Sequence, residues 1–190
     1  GIIHPKPVLH YQDYLTWIQN KRGNGLDYLT NQSAIQARKN PLNIFSNCLS
    51  IISVAMPYRL ITHSDTLLRI ASFAHFQDYH VLISEKLSQL ANFIQTRIGK
   101  RFSFKIGCDN ISILEKMIAY QAGLWWIGKN GLLIHPTWGS KILLGELLVD
   151  INLPDQSNPL DEQCGDCNAC ILTCPSRCIL DNRTIQANRC

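Results

Sequence analysis

Cys164-Gly-Asp-Cys167-Asn-Ala-Cys170-Ile-Leu-Thr-Cys174-Pro175, near the end of the sequence, decides how the rest is read. Two gaps of two residues and one of three, closed by a proline, form a run used where two [4Fe–4S] clusters lie side by side. The first three thiolates hold one cubane and the fourth reaches to the other cluster. Short gaps suit a cubane because its iron corners lie close together and a tight loop meets them in turn. A tetrahedral zinc site more often takes one Cys-x2-Cys pair and finds its second pair well away in sequence. Structural zinc and a disulfide knot remain the competing readings of these residues. Gly165 and Asn168 leave the loop free to bend, and Pro175 marks its exit.

Outward from this run, 46% of the 190 residues are hydrophobic and 17% are charged, enough apolar side chains for a proper core. The length fits one domain or a domain with a small appendage, divided here into residues 1–150 and 151–190. Ile142–Val149 is interrupted by Gly145 and Glu146, and no apolar run approaches a membrane span. No basic stretch leads into an apolar leader. The sequence opens on Gly1 rather than Met, so an N-terminal segment is expected to be missing from it. Of eight cysteines, four sit in the run and the others are scattered, which fits a reducing cytoplasm better than a secreted disulfide scaffold. A net charge of +4 permits a polyanionic partner without requiring one.

Taken from the start, Tyr14, Leu15, Trp17 and Ile18 fall at helical spacing, residues 21–25 break it, and a second short helix holds Tyr28 and Leu29. Residues 36–41 lead into a loop. Residues 51–56 are apolar and β-branched and read as a buried strand ended by Pro57. Residues 62–68 read as a polar loop. Asp78 caps a long amphipathic helix whose stripe is Val81, Leu82, Leu87, Leu90, Ala91, Ile94 and Ile98. A strand over 102–106 and a turn over 107–110 follow. Ser112-Ile-Leu-Glu115 has the capping-box form that opens a helix, with Leu114, Ile118, Ala119 and Ala122 on one face. That explains Ser112 and Glu115 structurally and leaves Asp109, at the handover from strand to helix, without such an explanation. Gly128-Lys129 lacks phosphate-loop spacing, and the glycines there suit a tight turn or close approach to something flat. Strands over 132–134 and Ile142–Val149 are joined by a turn-rich connection, and residues 151–163 form a linker into the cysteine run. The expectation is an α+β fold, a central sheet flanked by helices.

In order, Asp78-Tyr79-His80, Asp109-x5-Glu115, Ala122-Gly-Leu-Trp-Trp-Ile-Gly-Lys129, Gly139-Ser140, Leu144-Gly-Glu-Leu-Leu-Val-Asp150 and the cysteine run resemble the tRNA epoxyqueuosine reductases. These are cobalamin-dependent iron–sulfur enzymes related to the reductive dehalogenases. With Arg38, Pro41, Ile51 and Tyr58 the resemblance covers nearly the whole chain. It implies a corrinoid-binding, nitroreductase-like core followed by part of a ferredoxin-like segment. It also implies reduction of epoxyqueuosine to queuosine at the wobble position of a tRNA, using cobalamin and two [4Fe–4S] clusters. The implied partners are that tRNA and an electron donor, with a monomeric protein and no membrane.

By the same resemblance Asp109 is the proton donor, its pKa raised by burial against the corrin face. Arg38, Tyr79, His80, Leu133 and Leu144 fall at the corrinoid site. Cys164, Cys167 and Cys170 serve one cluster, and Cys174 and Cys190 belong to the other. Trp125 stands where the family has glycine and is expected to narrow the cavity. Ser112 replaces a proline, and Phe76-Gln77 a glycine-arginine pair. The family's second cysteine run lies downstream of anything present here, so the chain reads as a truncated form. Two other readings compete: reduction of another small molecule, such as an organohalide, with the same cofactors, and a non-enzymatic iron–sulfur carrier or degenerate remnant. Cys178 has no functional account.

Overall fold

The apolar run at 51–56 lies in β2 (Ser50–Pro57), an inner strand of a four-stranded antiparallel sheet. Its order is β1 (Ile2–Ile3), β2, β6 (Ile142–Val149), β3 (Phe104–Gly107). The computed structural model describes residues 1–23, 25–61 and 70–190, and the loop expected over 62–68 falls outside them. β2 and β6 pair along their whole length, from Ser50 opposite Val149 to Pro57 opposite Ile142. Both are covered on two faces, which is why they read as continuous apolar runs rather than as an alternation. On one face Ile52, Leu147 and Val149 pack with Ile83, Leu87, Ala91 and Phe102. On the other, Ile3, Ile51 and Leu148 pack with Ile113, Ile118 and Ala122.

The helix on the first face is α4 (Tyr79–Ile98). Asp78 caps it by accepting the His80 N–H at 2.9 Å, and Gly99 ends it at φ 66°. Its inward stripe is Ile83, Leu87 and Ala91, flanked by Leu90 and Ile94. Val81 and Ile98, expected on that stripe, are instead 46% and 47% exposed. Gly145 sets the approach: a Cβ there would lie 2.5 Å from Ile83 Cγ2.

Helices α1 (Tyr11–Gln19) and α2 (Asp27–Thr30) match expectation, but α3 (Gln32–Lys39) occupies residues expected to lead into a loop. Its start is fixed by Asn31, whose side chain accepts the Ala34 N–H at 2.8 Å, and Arg38 and Lys39 complement its C-terminal end. The capping box does not form either. α5 (Glu115–Gln121) starts at Glu115 itself, after Leu114, because Ile113 is drawn into the core and its N–H closes a tight turn on the Ile111 carbonyl. The strands expected over 132–134 and 142–149 do not share a sheet. β5 (Leu133–Ile134) pairs with β4 (Trp126–Ile127), and His135 and Gly139 exchange both backbone hydrogen bonds to turn the chain away toward β6.

Residues 151–163 carry no regular element, yet they are tied to the N-terminus by the Gln156 N–H on the Ile2 carbonyl at 2.8 Å. The cysteine segment holds a short α-helix, α6 (Ala169–Thr173), and a final 3-10 turn over Ala187–Arg189. Trp17 Nε1 donates to the Ile185 carbonyl at 2.6 Å, and Arg183 Nη1 to that of Ile127 at 2.9 Å, pinning the segment to the body. Among the described residues no helix is long and apolar enough to cross a membrane.

Candidate functional site

Asp109 follows β3 at φ 57°, a left-handed conformation that short Asp and Asn side chains tolerate better than most. The turn brings its carboxylate to the N-terminal end of α4. Tyr79 donates its hydroxyl hydrogen to Asp109 Oδ2 at 2.5 Å, and His80 Nε2 lies 3.8 Å from the same oxygen. Asp78 Oδ1 receives His80 Nδ1 at 2.7 Å, which fixes the ring with Nε2 toward Asp109. The Tyr79 and His80 rings stack at 4.0 Å. Burial, then the Asp109 charge, push the Tyr79 hydroxyl pKa up, so it remains a donor. The Asp109 side chain is 55% exposed, so the burial expected for it would have to come from the corrin face itself. The three residues thus form a cluster open to solvent, next to the outer face of α4 that carries His80, Val81, Ser84, Glu85, Ser88 and Gln89.

The inward carboxyl at this turn is Glu115, which the sequence assigns to a cap. Its Oε1 accepts the Asp109 N–H at 2.6 Å. Burial first, with a contribution from the Asp109 charge, pushes its pKa up to about 8. Behind it Glu146 on β6 is fully buried; its contact to Ser53 Oγ is 3.4 Å, and its Oε2 has no partner. Burial and the Glu115 charge raise its pKa well above the carboxylate range. Lys116 donates to the Gly131 carbonyl at 2.8 Å, and burial lowers its pKa. The sequence signal for Glu115 was its fixed distance from Asp109, but local cap chemistry accounted for it.

Leu133 is buried with Ala119 and Ile127, and Leu144 and Trp125 pack against that cluster. Leu144 also meets the Asp109 turn, its carbonyl 3.5 Å from Cys108 Sγ. Arg38 is turned elsewhere: its Nη1 donates to the Ala34 carbonyl at 3.3 Å and its guanidinium lies 5.8 Å from the Tyr14 ring centre. The structure therefore gathers Tyr79, His80 and Asp109 directly and Leu144 through Cys108.

In the cysteine segment all thiols are free. Lys129, set aside in the sequence as part of a failed phosphate loop, donates to the Gly165 carbonyl at 2.7 Å and to Asn168 Oδ1 at 2.9 Å. It clamps the loop carrying Cys164, Cys167 and Cys170. Cys178, without a role in the sequence, is buried with its Sγ 3.5 Å from that of Cys174 and within hydrogen-bond reach of Cys190. The backbone N–H of Cys178 and then Ser176 lower the Cys174 thiol to about 6, favouring thiolate. Among the described residues no three His, Cys, Asp or Glu side chains are gathered for a single metal ion. A cubane takes its thiolates from separate iron corners, further apart than the donors of a single ion, so that finding does not bear on one.

Fold and site define an α+β protein with an antiparallel sheet flanked by helices, an acid–phenol–imidazole cluster beside the sheet, and a C-terminal cysteine segment. Residues 38–110 match the family described as epoxyqueuosine reductase QueG, DUF1730. The chain is 35% identical over 182 residues to epoxyqueuosine reductase of Escherichia coli K12, an alignment covering 92% of this chain and 47% of that one. The solved epoxyqueuosine reductase from Streptococcus thermophilus superposes on all of this chain and 52% of its own, with a TM-score of 0.83 at 28% identity. A crystal structure of epoxyqueuosine reductase with an epoxyqueuosine-modified tRNA-Tyr stem loop does so with a TM-score of 0.78 at 22% identity, again over 52% of that chain. Over nearly all of its own length the chain is similar to epoxyqueuosine reductases. It spans about half the length of the curated relatives it matches.

Proposed function

We propose that this chain supplies the catalytic core of an epoxyqueuosine reductase, a monomer working in the reducing cytoplasm on epoxyqueuosine at the wobble position of tRNA. The observation that carries the reading is the meeting of Tyr79, His80 and Asp109 at one open site, in a chain matching named epoxyqueuosine reductases over 92% of its length. The solved relative with a modified tRNA stem loop supports tRNA as the partner.

Removing an epoxide oxygen as water leaves an alkene and consumes two electrons and two protons. Asp109 is the donor to the departing oxygen, since it stands on the solvent side of the cluster within reach of an incoming ring. Tyr79 orients Asp109 through Oδ2. His80, held by Asp78, keeps Nε2 beside the same oxygen and can exchange a proton with it. A bound corrinoid would supply the strong reductant such chemistry needs, with two [4Fe–4S] clusters to relay electrons to it from a donor protein. Leu133, Leu144, Tyr79 and His80 would hold the corrinoid, with Arg38 joining them on the resemblance alone. Cys164, Cys167 and Cys170 would serve one cluster, and Cys174 and Cys190 the other. In this reading residues 1–150 are the corrinoid-binding domain and 151–190 the first part of a ferredoxin-like one.

The test is to load the protein carrying this chain with cobalamin and iron–sulfur, supply a reductant, and analyse nucleosides of epoxyqueuosine-containing tRNA. Queuosine is expected. Persistence of epoxyqueuosine where an E. coli enzyme control converts it overturns the proposal. Asp109→Asn should lower turnover by about 100-fold, the scale of a general acid, while the corrinoid spectrum of the loaded protein is retained. Unchanged turnover would remove Asp109 from the donor role.

A further inference from the structure

Glu115 is the one carboxyl of this cluster that faces inward. Asp109, in its left-handed turn, sends its side chain out to Tyr79 and its N–H in to Glu115 Oε1 at 2.6 Å. The two carboxyls also lie within hydrogen-bond reach of each other. Two carboxylates so close cannot both ionise cheaply, and the one with less water keeps the proton. Every other group around Glu115 leaves that bias standing. Glu146 on β6 is itself buried and repels a charge on Glu115; the Lys116 ammonium is committed to the Gly131 carbonyl; Tyr79 on α4 and Cys108 in the turn, the latter pushed up to about 12 chiefly by burial, both remain protonated. The Asp109 N–H and, more weakly, Lys116 on the same helix favour the anion, and burial outweighs both.

We propose that Glu115 is the positioning residue of this site, seating Asp109 through the N–H it accepts and holding the proton that Asp109 passes on. The role rests on the proposed reading of Asp109 as donor. The O–H bond on Glu115 breaks and one forms on Asp109, which passes that proton to the departing oxygen. Glu115 is left as a carboxylate and regains a proton from water. No electrons move in this step. One of the two protons that deoxygenation requires thus has a source inside the site. Burial alone would also protonate a purely structural Glu115; what the pairing adds is that the titration near 8 depends on Asp109.

The test uses the 190-residue chain and needs no cofactor. Infrared titration of the carboxyl stretch should show a group titrating near pH 8. Glu115→Gln should abolish that transition. Asp109→Asn should move it to lower pH by removing the neighbouring charge. Amide exchange at Asp109 should stay slow in Glu115→Gln, whose amide oxygen accepts the same N–H, and become about tenfold faster in Glu115→Ala, the scale of one lost hydrogen bond. The proposal is overturned by a carboxyl transition that survives Glu115→Gln, by its absence between about pH 7 and 9, or by unchanged exchange in Glu115→Ala. If either Glu115 variant fails to fold, the Asp109→Asn shift decides alone, and a transition that does not move sinks the pairing. An inactive loaded enzyme with the titration intact would sink the epoxyqueuosine reading instead, and an active one without it the pairing alone.

Discussion

At the scale of single residues, Trp125 sets two opposed effects against each other. Its φ is +52°, where a residue bearing a Cβ costs about 1 kcal/mol relative to glycine. Its indole in return meets His135 edge-on at 4.2 Å, and His135 lies 4.1 Å from Trp138. His135 is held in place because Nδ1 accepts the N–H groups of Thr137 and Trp138. The half-buried indole also packs against Ala119, Ile127 and Leu133. Partial burial of an aromatic ring is worth about 2–3 kcal/mol, more than the strain. Trp125→Gly should therefore lower stability by about 1–2 kcal/mol even though it relieves the backbone. Thermal unfolding of the two proteins checks this, and a higher midpoint in the variant would mean that strain outweighs packing. Since the ring packs on the cluster that includes Leu133 and adjoins Leu144, the same variant enlarges the space beside the Asp109 turn.

At the scale of elements, the seating of α4 on β6 depends on Gly145. An alanine Cβ there would lie 2.5 Å from Ile83 Cγ2 and 3.2 Å from Leu87 Cδ1, and neither branched side chain has room to retreat into a packed face. Gly145→Ala should cost about 1–3 kcal/mol by overpacking and displace the N-terminal end of α4, which carries Tyr79 and His80. Denaturant unfolding gives the first number, and loss of the Tyr79–Asp109 contact by NMR the second; a variant as stable as the parent would show that the helix shifts freely. Long periodic or continuous elements such as α4 and β2 were legible in the sequence because one physical signal, burial of a face, runs their whole length. What was not legible depended on distant partners. Strand propensity could place β5 and β6 but could not tell that they join different sheets. Ser112-x2-Glu115 satisfied a local capping pattern, while the actual partner of Glu115 is set by the left-handed turn at Asp109 and by the core side chain of Ile113. Lys129 looked purposeless because both its acceptors, Gly165 and Asn168, are at least 36 residues away. Tyr79, His80 and Asp109 were legible only as members of a family pattern; their meeting belongs to the fold.

At the scale of the whole molecule, the buried carboxyls give stability a pH dependence of unusual sign for acids. Glu115 titrates near 4.5 when unfolded and near 8 when folded, and Glu146 is raised in the same direction. Between those values the folded chain holds protons that the unfolded chain has released, so stability falls as pH rises. The slope is at most about 1.4 kcal/mol per pH unit for each such group. Asp155 works the other way: hydrogen bonds from Ser157 lower it to about 2, so its contribution is present above the unfolded value near 3.8 and is lost as pH falls toward 2. Being almost fully hydrated, it contributes little. The chain should therefore be most stable near pH 4–5 and weaker at pH 8. Urea unfolding at pH 5 and pH 8 should show a clear drop in midpoint, and Glu115→Gln combined with Glu146→Gln should remove most of the difference while keeping both side chains close to their original volume. If the parent protein unfolds at the same urea concentration at both pH values, the two carboxyls are hydrated enough to ionise at no cost, and the inward face of the Asp109 site is wetter than the packing around Ile113, Ile118 and Leu148 requires.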